Sequence, residues 1–118
     1  MPLVMVVDDA AFMRVRCARM LTENGYQVLE AEDGAQAVKL YASSHPDAVL
    51  MDITMPQMNG LEALVAIRQL DPAAKIAMVT AMGQQNIVME ALKAGARDFV
   101  VKPFQSDRVL SAVKRLVG

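Results

Sequence analysis

Short, wholly apolar runs alternate along this chain with longer stretches whose apolar residues recur every three or four positions. The first pattern predicts strands and the second amphipathic helices. Leu3-Val4-Met5-Val6-Val7 opens the series and ends on two acids, Asp8 and Asp9. From Ala10 to Asn24 the period turns helical, with Met13, Cys17, Met20 and Leu21 on one side and Asn24-Gly25 as a stop signal. Gln27 to Ala31 is a more alternating strand, as expected nearer a sheet edge. Asp33 caps a helix with Ala37, Val38 and Tyr41 inward, closed by His45-Pro46. Ala48-Val49-Leu50-Met51 reads as a strand buried on both faces, with Asp52 at its end. Asn59 then caps a helix from Leu61 to Leu70, and Glu62 is placed to reach back as a capping box. Leu61, Leu64, Val65 and Arg68 stand at helical spacing there, and Asp71-Pro72 ends it. Lys75 to Thr80 is a fourth strand, Gln84 to Ala94 a fourth helix ended by Gly95, and Arg97 to Val101 a fifth strand followed by Lys102-Pro103. Ser106 or Gln105 caps the last helix, which turns Val109, Leu110, Val113, Leu116 and Val117 inward.

Five strands in strict alternation with five helices predict an α/β fold: one doubly wound parallel sheet with helices on both faces, a single domain over residues 1–118. All strands of such a sheet point the same way, so their carboxyl ends share one edge, where ligands bind. That edge would receive Asp8 and Asp9, then Asp52, Thr80 and Lys102. Each has a local alternative: Asp8 and Asp9 as helix caps, Asp52 as a loop cap, Thr80 as an ordinary strand end, Lys102 as a solvated lysine. Jointly they make a site. Three carboxylates at ~4 Å repel by about 4 kcal/mol per pair at an effective dielectric of ~20, which either a shared proton or a bound cation can offset. Oxygen ligands without His or Cys suit a hard ion, Mg²⁺ first and Mn²⁺ as an alternative. Lys102 adds a point charge for an anion and Thr80 a hydroxyl donor. The set suits phosphoryl transfer to a free carboxylate.

Composition narrows the partners. The 118 residues are 54% hydrophobic, with aliphatics and ten methionines filling the core, and carry a net charge of −1. That net charge argues against nucleic acid or an anionic membrane as the main partner, since either would favour a clustered basic face. Cys17, the single cysteine, lies on an apolar helix face and reads as core packing rather than a reactive thiol. His45 reads as a helix-terminal surface residue, and Arg14, Arg16 and Arg19 as a solvated face of the first helix. No apolar run approaches the ~20 residues that span a bilayer, and Met1-Pro2 does not open a signal peptide. The expectation is a cytoplasmic monomer.

Asp8-Asp9, Asp52 with Met55-Pro56 and Asn59-Gly60, Thr80-Ala81, and Lys102-Pro103-Phe104 resemble the receiver domain of two-component response regulators. The resemblance runs from Leu3 to the last helix. Within that family, residues 7–14 (Val7-Asp8-Asp9 to Arg14) and 81–85 (Ala81-Met82-Gly83-Gln84-Gln85) are similar to the stand-alone chemotaxis regulators. The resemblance implies a flavodoxin-like (βα)5 fold with strand order 2-1-3-4-5. It makes Asp52 the phosphoacceptor of a sensor histidine kinase, with chemistry confined to its own phosphorylation and dephosphorylation. Asp9 and Asp52 would hold Mg²⁺ with the Thr54 backbone carbonyl, and Asp8 would act through water. Lys102 would contact the phosphoryl group and Thr80 would move to bind it, with a cis bond between Lys102 and Pro103. Thr54 and Met82 take positions that tune phosphate lifetime. Phe99 takes the aromatic switch position and, lacking a phenol, brings no hydrogen bond to it.

If Thr80 is drawn inward, Phe99 gains room to change rotamer. The face of Gln84, Val88, Leu92, Phe99 and Val101, part of the surface formed by the fourth helix, the fifth strand and the fifth helix, would then change for a partner. The resemblance implies a flagellar switch protein or a phosphatase there, with a phosphorelay intermediate as the other reading. A haloacid-dehalogenase-type, Mg²⁺-dependent aspartyl-phosphate phosphatase fits less well, because its Asp-x-Asp pattern and cap domain are missing. A flavin carrier would need a hydroxyl- and glycine-rich loop where Asp8 and Asp9 stand.

Overall fold

In the computed structural model the described residues are 2–53, 55, 58–81, 85–102 and 105–118, with Gln85 described through its backbone alone. Along them strand and helix alternate as β1 (Leu3–Val7), α1 (Ala11–Glu23), β2 (Gln27–Ala31), α2 (Gly34–Ser44) and β3 (Ala48–Asp52). They continue as α3 (Gly60–Leu70), β4 (Ile76–Ala81), α4 (Gln85–Lys93), β5 (Asp98–Lys102) and α5 (Ser106–Val117). The five strands form one parallel sheet in the order β2-β1-β3-β4-β5, so the chain is a flavodoxin-like doubly wound α/β fold.

The two-residue period of each strand divides the core in two. Val4, Val6, Leu50, Ala77, Val79 and Val100 pack with Cys17 and Leu21 of α1 and with Val109, Val113 and Leu116 of α5. Met5, Val7, Val49, Met51, Ile76 and Met78 pack on the other face with Tyr41 of α2, Leu64 and Ile67 of α3 and Val88 of α4. β3, flanked by β1 and β4, is buried along its whole length, whereas the edge strand β2 is buried only at Ala31. This explains why the central strands read as unbroken apolar runs and β2 as an alternating one.

Asp33 accepts the Gln36 amide to cap α2, and Asn59 with Glu62 forms a complete capping box on α3. Gln105 occupies the N-cap position of α5. One helix face differs from its expected composition. Val65 is 41% exposed, and α3 instead turns Gly60, Ala63, Leu64 and Ile67 inward. The cause is Gly60, where a Cβ would stand 2.1 Å from the Asp52 carbonyl oxygen and 2.8 Å from the Ile53 Cα. The helix therefore starts pressed against the end of β3, and positions three, four and seven after Gly60 follow it inward.

Where the strands begin, polar groups are paired. Asp47 accepts the Leu3 amide at 2.8 Å, and its own amide donates to the Leu3 carbonyl at 2.7 Å. The Tyr41 hydroxyl donates to Asp71 Oδ2 at 2.7 Å, tying α2 to the turn after α3. His45, at the end of α2, takes a left-handed backbone with φ 46°.

Candidate functional site

At the opposite edge, where the strands end, three acids meet. Asp8 follows β1 directly, and both of its main-chain groups are held. Its amide donates to the Ala31 carbonyl at 3.2 Å, and its carbonyl accepts from Arg14 Nη1 at 2.8 Å. The Ala10 amide donates to Asp8 Oδ1 at 2.9 Å, so Asp8 does serve the start of α1 as one of its jobs. Asp52 is the last residue of β3 and, like Asp8, is 6% exposed. Asp9 is exposed. Carboxylate oxygens of Asp8, Asp9 and Asp52 all lie within 4.8 Å of one another.

Lys102, at the end of β5, reaches between the two buried acids. Its Nζ lies 3.2 Å from Asp8 Oδ2 and 3.6 Å from Asp52 Oδ1. This single ammonium does not neutralise the cluster. Burial pushes the Asp52 carboxyl up to about 6; Lys102 opposes the rise, and the charges of Asp8 and Asp9 add to it. Three carboxylates facing one ammonium form an oxygen-rich, electronegative pocket, a donor set that fits a hard divalent cation such as Mg²⁺. The same neighbourhood reaches Cys17, whose thiol is pushed up to about 11 by burial and then by Asp8, which leaves it an inert core residue.

Thr80 stands one residue beyond Val79, the register partner of Asp52, and is 2% exposed. Its hydroxyl donates to the Ala81 carbonyl at 3.1 Å. Thr80 pairs with Val101 and Met78 with Phe99, so Thr80 and Phe99 lie diagonally on one face of the sheet. Phe99, Val101, Leu92 and Met89 are among the exposed large apolar side chains. Val88 is not: at 6% exposure it packs into the core, because the inward stripe of α4 runs through Val88 and Ala91. Met89 takes its place on the surface. The expectations for the Thr54 carbonyl, Met82, Gln84 and the Lys102–Pro103 bond lie outside the described residues, as do Pro56 and Phe104.

Arg14 departs from the expected solvated face. Its side chain is only 11% exposed, and Nε donates to Glu30 Oε1 at 3.1 Å. It lies one helical turn beyond Ala10, on the side of α1 that meets β2, whereas Arg16 points outward over the exposed Phe12 ring. The signal in the sequence was Glu30 and Glu32 at the end of β2, acids that a neighbouring helix can pair.

Residues 4–114 match the family model described as the response regulator receiver domain. The chain is 55% identical over 116 residues to the chemotaxis protein CheY of Bacillus subtilis, covering 98% of this chain and 97% of that one. It is 53% identical over 114 residues to CheY of Thermotoga maritima, covering 96% and 95%. Among solved structures it is similar to a chain of the CheX–CheY–BeF₃–Mg²⁺ complex from Borrelia burgdorferi. There the TM-score is 0.92 at 34% identity, with 98% of this chain and 89% of that chain covered.

Proposed function

The chain belongs to the response regulator receiver family, and from that membership we propose that Asp52 is the phosphoacceptor of a chemotaxis-type signalling switch. The observation that carries this reading is Asp52 itself, a buried carboxylate with two acids within 4.8 Å and Lys102 at 3.6 Å. With its proton lost above about pH 6, Asp52 is ionised at neutral pH and able to act as a nucleophile. A carboxylate oxygen attacks the phosphorus of a kinase phosphohistidine. The P–N bond breaks, its electron pair returns to the imidazole nitrogen, and that nitrogen takes up a proton. Lys102 sets its charge against the transferred phosphoryl oxygens. A magnesium ion held by Asp9 and Asp52, with Asp8 beside them, would supply the remaining positive charge at those oxygens.

Phosphate then becomes a signal through Thr80 and Phe99. Shifting a two-state equilibrium from 1:99 to 99:1 takes about 5.5 kcal/mol of differential affinity. A hydrogen bond to a charged group contributes about 1.5–3 kcal/mol, so Thr80 and Lys102 share the task. Phe99, diagonal to Thr80 and part-exposed, carries the change to the face of Met89, Leu92 and Val101 on α4 and β5. A flagellar switch protein or a phosphatase of the CheX kind is the partner this reading favours; the solved Borrelia complex of a similar chain with CheX supports it.

Acetyl phosphate with Mg²⁺ tests the chemistry. Intact-mass measurement should find one base-labile phosphoryl group on the wild type and none on Asp52→Asn. Thr80→Ala should still be phosphorylated, yet lose most of the phosphate-dependent gain in partner affinity. Phosphate retained by Asp52→Asn would refute the proposed site.

A further inference from the structure

Arg14 contributes nothing to the chemistry above, yet its guanidinium is spent on the main chain of the acidic pair. Nη1 donates to the Asp8 carbonyl at 2.8 Å, Nε to Glu30 Oε1 at 3.1 Å, and Nη2 lies 3.9 Å from Glu32 Oε1. That carbonyl belongs to the peptide joining Asp8 to Asp9, so the fork fixes the plane from which the Asp9 side chain departs. The two acids are held very differently. The Asp8 carboxylate has the Ala10 amide and Lys102. Among the described residues no hydrogen bond holds the Asp9 carboxylate, so its direction follows from its backbone and rotamer.

We propose that Arg14 is a positioning residue for divalent-cation binding: braced by Glu30 on the edge strand β2, it holds the Asp8–Asp9 peptide so that Asp9 points into the acidic cluster. The inference rests on the reading of Asp8, Asp9 and Asp52 as the cation site. It runs against simple electrostatics. A cationic guanidinium near a cation site repels the ion, so on charge alone its removal should tighten binding. If orientation dominates, removal loosens binding, as loss of outer partners of metal ligands generally does.

Calorimetric titration of the unphosphorylated protein with Mg²⁺ separates the two. Arg14→Met should weaken Mg²⁺ binding about tenfold. Arg14→Lys, which keeps the charge but cannot span both the Asp8 carbonyl and Glu30, should weaken it nearly as much. Glu30→Gln, which keeps Arg14 but loosens its brace, should weaken it less, and Arg16→Met, on the exposed side of α1, should not weaken it at all. The rate of phosphorylation by acetyl phosphate should recover in the Arg14 variants at saturating Mg²⁺, because the nucleophile is untouched. Unchanged or tighter Mg²⁺ binding in folded Arg14→Met and Arg14→Lys overturns the inference while leaving the proposed function standing. Should Arg14→Met fail to fold, Arg14→Lys and Glu30→Gln decide the question by the same measurement. A wild type that bound no Mg²⁺ would overturn the cation site and this inference together.

Discussion

Each edge of the sheet carries carboxylates, exposed Asp47 and part-buried Asp71 where the strands begin, buried Asp8 and Asp52 with exposed Asp9 where they end, and the two edges treat them in opposite ways. Where the strands begin, Asp47 exchanges hydrogen bonds with Leu3, and Asp71 accepts both the Tyr41 hydroxyl and the Ala73 amide. Those donors hold the Asp71 carboxyl below its ordinary range, led by Tyr41. Where the strands end, Asp52 is buried beside two further acids, shares one lysine with Asp8, and is pushed the other way, to about 6. The same side chain is thus a staple at one edge and a liability at the other. A fold selected for stability alone has no reason to keep three acids under-compensated. The unbalanced edge marks where a ligand completes the charge, and the balanced edge marks where the fold closes itself.

The largest test of this contrast is the free energy held at Asp52. Its folded-state pKa is raised from 3.8 to about 6, so the folded protein binds that proton more tightly than the unfolded chain does. The stability this gives is fully present below about pH 3.8 and lost as pH rises through about 6. At pH 7 without divalent cations, the ionised Asp52 costs about 2 kcal/mol, allowing for screening by solvent at the mouth of the site. Asp52→Asn should therefore be more stable than wild type in EDTA at pH 7 by about that amount, and the difference should shrink towards pH 4. Urea unfolding across this range measures it. Equal stability at pH 7 would show that the acids at this edge are as well compensated as those at the other.

A smaller effect of opposite sign is expected from Tyr41→Phe. Its hydroxyl bond lowers the Asp71 pKa, so that contribution is present above the unfolded value of 3.8 and lost as pH falls through the folded one. Burial and then the bond to Asp71 raise the Tyr41 pKa, so that contribution is present below 10.0 and lost at higher pH. The variant should be less stable than wild type between those limits and converge with it towards acid, while phosphorylation of Asp52 is unchanged. A loss of phosphorylation would mean that the two edges are coupled, which the contrast denies.

How much of this was legible in the sequence follows from which interactions are local. Strand runs, the Asn59–Glu62 capping box and the five polar residues at the ends of four strands each sit in one short stretch, and a parallel sheet brings the ends together by topology alone. The role of Arg14 depends on β2 lying beside β1, a long-range fact, so counting charges on α1 could only assign it to solvent. Helical spacing groups Val65 with Leu61, Leu64 and Arg68 but does not say which face turns inward, because Gly60 has no side chain to announce how closely α3 meets β3. Val88 and Met89 are adjacent apolar residues on one helix, and only packing decides which of them the core takes. The Tyr41–Asp71 bond joins residues thirty positions apart and left no local pattern at all.

The smallest effect belongs to His45, and it probes the balanced edge where backbone rather than charge is at issue. Its φ of 46° is left-handed, which a side chain with a Cβ adopts at a cost of about 1–2 kcal/mol. Two features hold it there. Its amide donates to the Tyr41 carbonyl at 2.9 Å to close α2, and its ring stands edge-on to Tyr41 with centroids 5.9 Å apart. An aromatic pair of that kind is worth about 0.5–1.5 kcal/mol. His45→Gly removes the backbone cost and the ring contact together while keeping the amide bond, so the two nearly cancel and stability should move by less than about 1 kcal/mol. In a Tyr41→Leu background the ring contact is already gone, and the same substitution should then stabilise by most of the backbone cost. Thermal unfolding of the four proteins gives both differences. Phosphorylation should be equal in wild type and His45→Gly. A slowed reaction would place the one histidine of the chain in the phosphoryl-transfer machinery and would end the separation of the two edges.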